Sequence, residues 1–515
     1  MLNLSPVCCS GLPLQAWCTI INRLEKVVKV YHGSSVEIID NCVVEGAWNS
    51  SFDPNGFREA SVLCGSGLEV NESVIIRGPS HSLERIWLLR LPKSVLVSNS
   101  LPLLLAVGDK KIILPRLHLE ADLLSFIDGI NGIRKRVKLG KGLVIEQFIA
   151  PQLQVSSELD VRVIGTTLLG PQSFVDYSDY IKQVQYLCEQ LCKNANAPER
   201  TSRYQPLASI SRGYDSPACA IFASLCGATK AITFAKAREG YDTSSDDGSD
   251  IAQTIGLEAI KLNRTDYMNQ TDDHYFLASG GGGEDAVFAA AKKILKQSIF
   301  FTGYKGDTLW GMKAIPKFSH YLRTTYPGGG SLGEFRLNTD FIHLPLPMIY
   351  LQSHESVHKI SCSNEMAPWR IGNEYDRPIP RRLVESKGVN RTAFGQAKMA
   401  VTVPMYYGKD LHSMLSHTCV NSFEHFLVNS SQSFQAVLWM YSTGYFARLP
   451  WKFVKERLSW RTRKLNPTNP IRIFLEQRLS HRWRRRPSAD LLLPHWAIET
   501  LRFEYRQHLK QSCPL

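Results

Sequence analysis

The sequence predicts an α/β protein built on a parallel sheet, with a strand-rich segment before it and a basic, helical segment behind it. Three observations carry this. Short β-rich runs separated by turn residues fill residues 1–165. Strand-like and helix-like stretches then alternate. The positive charge is gathered near the C-terminus.

The first segment holds "SVEII", "SVIIRG", "RIWLLRL" and "KSVLVSN", each bounded by turn residues, which read as strands. From residue 177, "YSDYIKQVQYLCEQLCKNA" predicts a helix, because Ile181, Val184, Leu187 and Leu191 recur at three- and four-residue spacing. "LASIS" follows as a strand and "PACAIFASLCG" as a helix ended by Gly227. "AITFAKA" is a strand, "SDIAQTIGLE" a helix capped by Ser249, "EDAVFAAAKKILK" a helix and "SIFFTG" a strand. This alternation implies a parallel sheet with helices on both faces. The boundaries fall at residues 1–165, 166–420 and 421–515, the last mostly helical.

Composition excludes several classes. No uninterrupted apolar run reaches about 18 residues, so no transmembrane helix is expected. The first residues, "MLNLSPVCCSGLPLQAW", lack the basic start and long apolar run of a secretory signal, and a cytoplasmic protein is expected. The 12 cysteines are scattered, with no histidine cluster to complete a zinc set; reduced thiols are expected. The formal net charge is +13, and residues 448–515 carry 16 Lys/Arg against 5 Asp/Glu. That tail, with "RRR" at 484–486, could meet an anionic membrane surface or another polyanion; a solvated basic face is the plainer outcome.

In an open parallel sheet, ligands bind beyond the carboxyl ends of the strands. Three strand ends therefore matter: "SRGYDS", "TFAKAREGYDTSSDDGSD" and "YKGDTLWGM". Ser211, Gly213 and Ser216 offer hydroxyls and N–H groups at a helix start, which suits phosphate oxygens. Asp215 would repel a phosphate unless Mg²⁺ bridges them, and Asp307 can supply a second carboxylate. Arg212 is the odd residue, since a turn needing positive φ would make it costly.

These motifs resemble a family. "SISRGYDS" resembles the Ser-Gly-Gly-x-Asp-Ser pyrophosphate loop of the asparagine synthetase group of ATP pyrophosphatases, with Arg212 in place of the first Gly. "FFTGYKGDTLWGM" resembles their second motif. Where asparagine synthetase carries a Glu, Tyr304 stands here, as in the related β-lactam synthetase. Glu334 in "SLGEF" and Lys398 in "FGQAKMA" lie at that enzyme's spacings for two further catalytic residues. The resemblance covers about 180–400. "RIWLLRLPKSVLVSNSLPLLLA" (85–106) resembles the end of the family's glutamine-hydrolysing Ntn domain, with Asn99 where the family has Glu. Leu2 stands where the nucleophilic Cys would be, so the resemblance implies a degenerate domain that hydrolyses no glutamine.

The resemblance thus implies an ATP-pyrophosphatase synthetase domain behind a degenerate Ntn-like domain. It also implies an ATP- and Mg²⁺-dependent reaction in which a small or carrier-linked carboxylate is adenylated and then captured by an amine. Asp215 and Asp307 would hold the metal, and Ser211, Gly213 and Ser216 the pyrophosphate. Ile210, Phe234 and Gly303 would wrap adenine. Lys398 would stabilise the tetrahedral intermediate. Tyr304 would take the amine proton with Glu334 as partner, since tyrosine's ordinary pKa of about 10 makes it a poor base alone. Arg377, Arg381, Arg382 and Arg391 precede Lys398 and could close over an acidic substrate. Two alternatives stay open: adenylation for another nucleophile, and an inactive scaffold of the same fold.

Overall fold

The computed structural model describes residues 1–23, 25–112, 119–140, 142–237, 245–312, 327–372, 375–396, 400–403, 405, 411–430 and 489–512. The first described strands are β1 (Asn3–Cys8), β2 (Trp17–Asn22), β3 (Val27–His32), β4 (Glu37–Ile39), β5 (Cys42–Trp48), β6 (Leu63–Val70) and β7 (Ser73–Arg77). There follow β8 (Arg85–Arg90), β9 (Ser94–Ser98), β10 (Arg136–Lys138), β11 (Val144–Ile149), β12 (Pro151–Ser156) and β13 (Val161–Thr166). They form two sheets, in the orders β1-β3-β2-β9-β8-β11-β10 and β13-β12-β7-β6-β5-β4. All their pairings are antiparallel except β1 with β3.

The two sheets share one apolar layer. Ile86 and Leu88 of β8, Val95 and Val97 of β9, Leu68 of β6 and Ile76 of β7 lie in it. The intervening Trp87, Leu89 and Leu96 face the other way, into the core around the Leu101–Val107 helix. The run "RIWLLRL" shows no alternation because both faces of its strand are buried.

The second architecture is a five-stranded sheet. Its strands are β14 (Gln205–Ser209), β15 (Lys230–Phe234), β16 (Glu258–Leu262), β17 (Ser298–Thr302) and β18 (Ile342–Pro345). The order is β16-β15-β14-β17-β18, and every pairing is parallel. Strand order reverses at β14, which opens the usual ligand crevice of a doubly wound sheet beyond β14 and its neighbours. The Tyr177–Ala195 and Asp215–Leu225 helices cover one face. The sequence reading lacked β16 and β18. The predicted helix "SDIAQTIGLE" overruns into the first residue of β16, and four-residue β18 holds a Pro at its end.

The predicted helix at "EDAVFAAAKKILK" is a 3₁₀ turn, Ala286–Ala291, running into a short α-helix, Lys292–Leu295. Glu284 and Asp285 precede it, in the loop that enters the crevice.

The C-terminal helix, Leu493–Ser512, packs against the Leu101–Val107 and Asp273–Ala278 helices. Leu493, Trp496, Leu501, Tyr505 and Leu509 are buried at helical spacing. It is part of the core, although the basic run before it lies outside the described residues. No described helix is long and apolar enough to cross a membrane. Among the described residues ten cysteines take no part in a disulfide, whereas Cys9 is disulfide-bonded, against the expectation of reduced cysteines throughout.

A buried ionic cluster joins the N-terminal sheets to the parallel one. Arg336 meets Glu45 at 2.8 Å and Glu84 at 2.6 Å, and donates to Gln15 Oε1 at 2.7 Å. Burial alone would lower the Arg336 pKa; the two carboxylates more than reverse this and hold it charged.

Candidate active site

A cavity of about 510 Å³ opens at the carboxyl ends of β14, β15 and β17. Ser209, Phe234 and Thr302, the last residues of those strands, line it. The turn after β14 enters the Asp215–Leu225 helix directly. Ser211 Oγ and Ser216 Oγ are 2.8 Å apart, and the Gly213 N–H donates to Ser211 Oγ at 3.2 Å. The serine hydroxyls, the turn amides and the helix N-terminus thus converge on one anion-favouring spot.

Arg212 does not strain this turn. It is absent from the positive-φ residues, and its exposed side chain leaves the cavity to donate to Ala393 O at 3.2 Å. Its amide donates to Asp246 Oδ1 at 3.2 Å, and its carbonyl accepts from the Gly395 N–H at 2.8 Å. The loop is thus stapled on both sides of Arg212. Asp246, also lining the cavity, is buried, and burial pushes its pKa up to about 6.

Two glycines let the turn after β17 approach this helix start. A Cβ on Gly303 would lie 2.7 Å from the Asp215 carbonyl carbon, and one on Gly306 would lie 2.4 Å from Asp215 Cγ. Between them Lys305 holds a left-handed φ of 68°, a conformation that non-glycine residues rarely adopt outside constrained sites. Asp215 and Asp307 are thereby brought to one wall. Arg377 comes with them: its guanidinium meets Asp215 Oδ2 at 2.7 Å. Burial opposes its charge, while Asp215, Tyr375 and Asp307 together raise its pKa.

Of the four predicted arginines, only Arg377 lines the cavity. Arg381 binds the Tyr214 hydroxyl, and Arg382 and Arg391 pair with Glu365 and Glu385.

Ile210, Ser211, Gly213, Asp215, Ser216, Phe234, Gly303, Tyr304 and Asp307 all line the same cavity, so residues spread over 98 positions meet at one place. Glu334 does not. It is fully buried elsewhere, its Oε1 accepting from Ser100 Oγ at 2.7 Å and from Tyr505 OH at 3.0 Å. Burial pushes its pKa up to about 7. The expected pairing with Tyr304 is thus replaced: Tyr304 OH donates to Asp285 Oδ1 at 2.7 Å. Lys398 lies outside the described residues.

Asp285 is locked in place. It also accepts from the Gly329 N–H at 3.0 Å and from Ser331 Oγ at 2.5 Å. Burial raises its pKa, and those hydrogen bonds oppose the rise. Its neighbour Glu284 is fully buried and also lines the cavity. The sequence reading missed both acids. They follow four glycines in "SGGGGED", where two acids directly after a glycine run were the available signal.

Compared with models of known protein families and with curated proteins, the chain matches none.

Proposed function

We propose that this protein is an ATP-dependent, AMP-forming ligase that joins a carboxylate to an amine. The architecture is a parallel sheet flanked by helices, of a nucleotide-binding type compatible with a ligase. One observation carries the finer reading. A serine- and glycine-lined helix start, two aspartates and a carboxylate-bound tyrosine share one cavity at adjacent strand ends. The resemblance to asparagine synthetase and β-lactam synthetase agrees with it.

Ser211, Ser216 and the Gly213 amide would hold pyrophosphate oxygens, with Ile210 and Phe234 beside the base. Among the described residues no cluster of three or more metal-binding side chains exists. Mg²⁺ is usually held by one or two carboxylates plus substrate phosphates. Asp215 and Asp307 would hold it, and the ion would neutralise triphosphate charge. Arg377 already places one positive charge against Asp215 and can follow phosphate as a planar donor.

A substrate carboxylate oxygen attacks the α-phosphorus and the bond to pyrophosphate breaks. The amine nitrogen then attacks the acyl carbon, and the carbon–oxygen bond to AMP breaks with its electron pair leaving on AMP. Tyr304 accepts the proton lost from nitrogen as its own hydroxyl proton passes to Asp285, to which it is already hydrogen-bonded.

Asp215→Asn and Asp307→Asn are each expected to abolish turnover without unfolding the chain. The assay supplies ATP, Mg²⁺, hydroxylamine and a panel of amino and dicarboxylic acids, and counts AMP and pyrophosphate. Formation of ADP instead, or full activity in either variant, would sink this reading. Gly306→Ala is a steric counterpart, because its new Cβ would displace Asp215. Affinity for a fluorescent ATP analogue is expected to fall by about tenfold or more, a loss of roughly 1.4 kcal/mol. Unchanged affinity would mean that Asp215 is not needed where it stands.

A further inference from the structure

We infer that the part of the cavity where Glu284 and Asp285 stand beside Tyr304 is a cation subsite that binds the primary ammonium group of an aliphatic amine. It rests on the ligase reading only for the identity of that amine as the attacking substrate.

Glu284 is the key residue. It is fully buried, yet it lines the cavity. Its Oε2 accepts from the Gly282 N–H at 2.7 Å, whereas its Oε1 has no hydrogen-bond partner. A buried carboxylate oxygen left unmatched is costly, so such groups are normally paired or neutralised. No Lys, Arg or His among the described residues forms an ion pair with Glu284 or Asp285. Asp285 is not the open acceptor, since its oxygens already hold Tyr304, Gly329 and Ser331. The division is clear: Asp285 fixes the tyrosine, and Glu284 offers an oxygen to a donor arriving from the cavity.

A primary ammonium supplies the missing charge and up to three N–H donors. The adjoining lining is apolar. Val287, Phe288, Ala400 and Val401 share the cavity with the two acids, which suits a short alkyl stem. An anionic group is disfavoured there, because two carboxylates face it and no Lys, Arg or His among the described residues pairs with either.

The charge state gives a second signature. Burial pushes the Glu284 pKa up to about 8, with the neighbouring Asp285 charge and then Glu120 adding to the rise. Tyr304 faces the pair through Asp285. Near neutral pH the empty site therefore holds its proton. An entering ammonium, whose ordinary pKa is about 10.4 in lysine, keeps its own proton and displaces that of Glu284. Affinity should rise as pH climbs toward 8, the pKa of Glu284, and fall as pH drops below it.

The test is calorimetry on the full chain with butylamine, run near neutral pH in two buffers of different ionisation enthalpy. Butanol, of the same length, is the control, and ATP-analogue binding is measured in parallel. Butylamine is expected to bind with release of about one proton, and butanol is not expected to compete. Glu284→Gln should weaken butylamine by about 30-fold or more, the usual cost of removing one partner of a buried charge pair. Equal binding of butanol, absence of proton release, or unchanged affinity in Glu284→Gln would each overturn the subsite. The unmodified chain alone decides the matter if Glu284→Gln fails to fold. Butylamine binding without nucleotide binding would sink the ligase reading and leave the subsite standing. Nucleotide binding without butylamine binding would do the reverse.

Discussion

Tyr304→Phe is expected to lower amide formation by about 10²–10⁴-fold, the usual worth of a positioned general base, and to leave adenylation of the acid intact. The substitution keeps the ring, which packs edge-on against His343 at 5.7 Å, and removes only the hydroxyl that Asp285 holds. Exchange of labelled pyrophosphate into ATP reports adenylation, and product formation reports the second step. Asp285→Asn should show the same split in milder form, because an amide still orients the hydroxyl but accepts its proton poorly. Glu334→Gln should not show it, since Glu334 binds Ser100 and Tyr505 rather than Tyr304. Full amide formation by Tyr304→Phe would remove the tyrosine from the chemistry. A selective loss in Glu334→Gln would return the role to that residue.

Arg336→Met is expected to destabilise the protein by about 3–5 kcal/mol, the cost of leaving a buried ion-pair partner alone. Here two partners are left, Glu45, which is fully buried, and Glu84, which is partly buried. The loss should appear as a lower urea midpoint. Adding Glu45→Gln and Glu84→Gln to Arg336→Met should recover part of it, because the uncompensated charges then disappear. A single variant as stable as the parent would show that the cluster does not hold the N-terminal sheets to the parallel one.

Much of the site was legible because its residues follow strand ends. "LASIS", "AITFAKA" and "SIFFTG" are apolar runs with clear stops, and each stop delivers the next residues to one rim. Asp215 and Asp307 could be named on that ground before any contact was known, whereas Tyr304 was named only through the resemblance to β-lactam synthetase.

Glu334 was misplaced for a physical reason. Its distance along the chain says how far it can reach, not which way its helix faces. In the fold that helix, Leu332–Thr339, turns Glu334 toward the Leu101–Val107 helix and the C-terminal helix. Asp285 was overlooked because acids before a predicted helix are ordinary there, where the helix dipole favours them.

The sequence by itself determined the local elements: periodicity of two or of about 3.6 residues, and the turns that end them, are properties of neighbours along the chain. It also determined the set of groups able to meet beyond the parallel strands, because strand direction fixes which end each loop leaves from. Only the tertiary structure decided which acid holds Tyr304, that Arg212 points out of the cavity, that Arg377 rather than Arg381 meets Asp215, and that the last helix is core. Each of those depends on contacts between residues far apart in sequence, such as Tyr505 with Glu334 or Arg377 with Asp215. Such pairings are set by the packing of whole layers, and no local pattern encodes them.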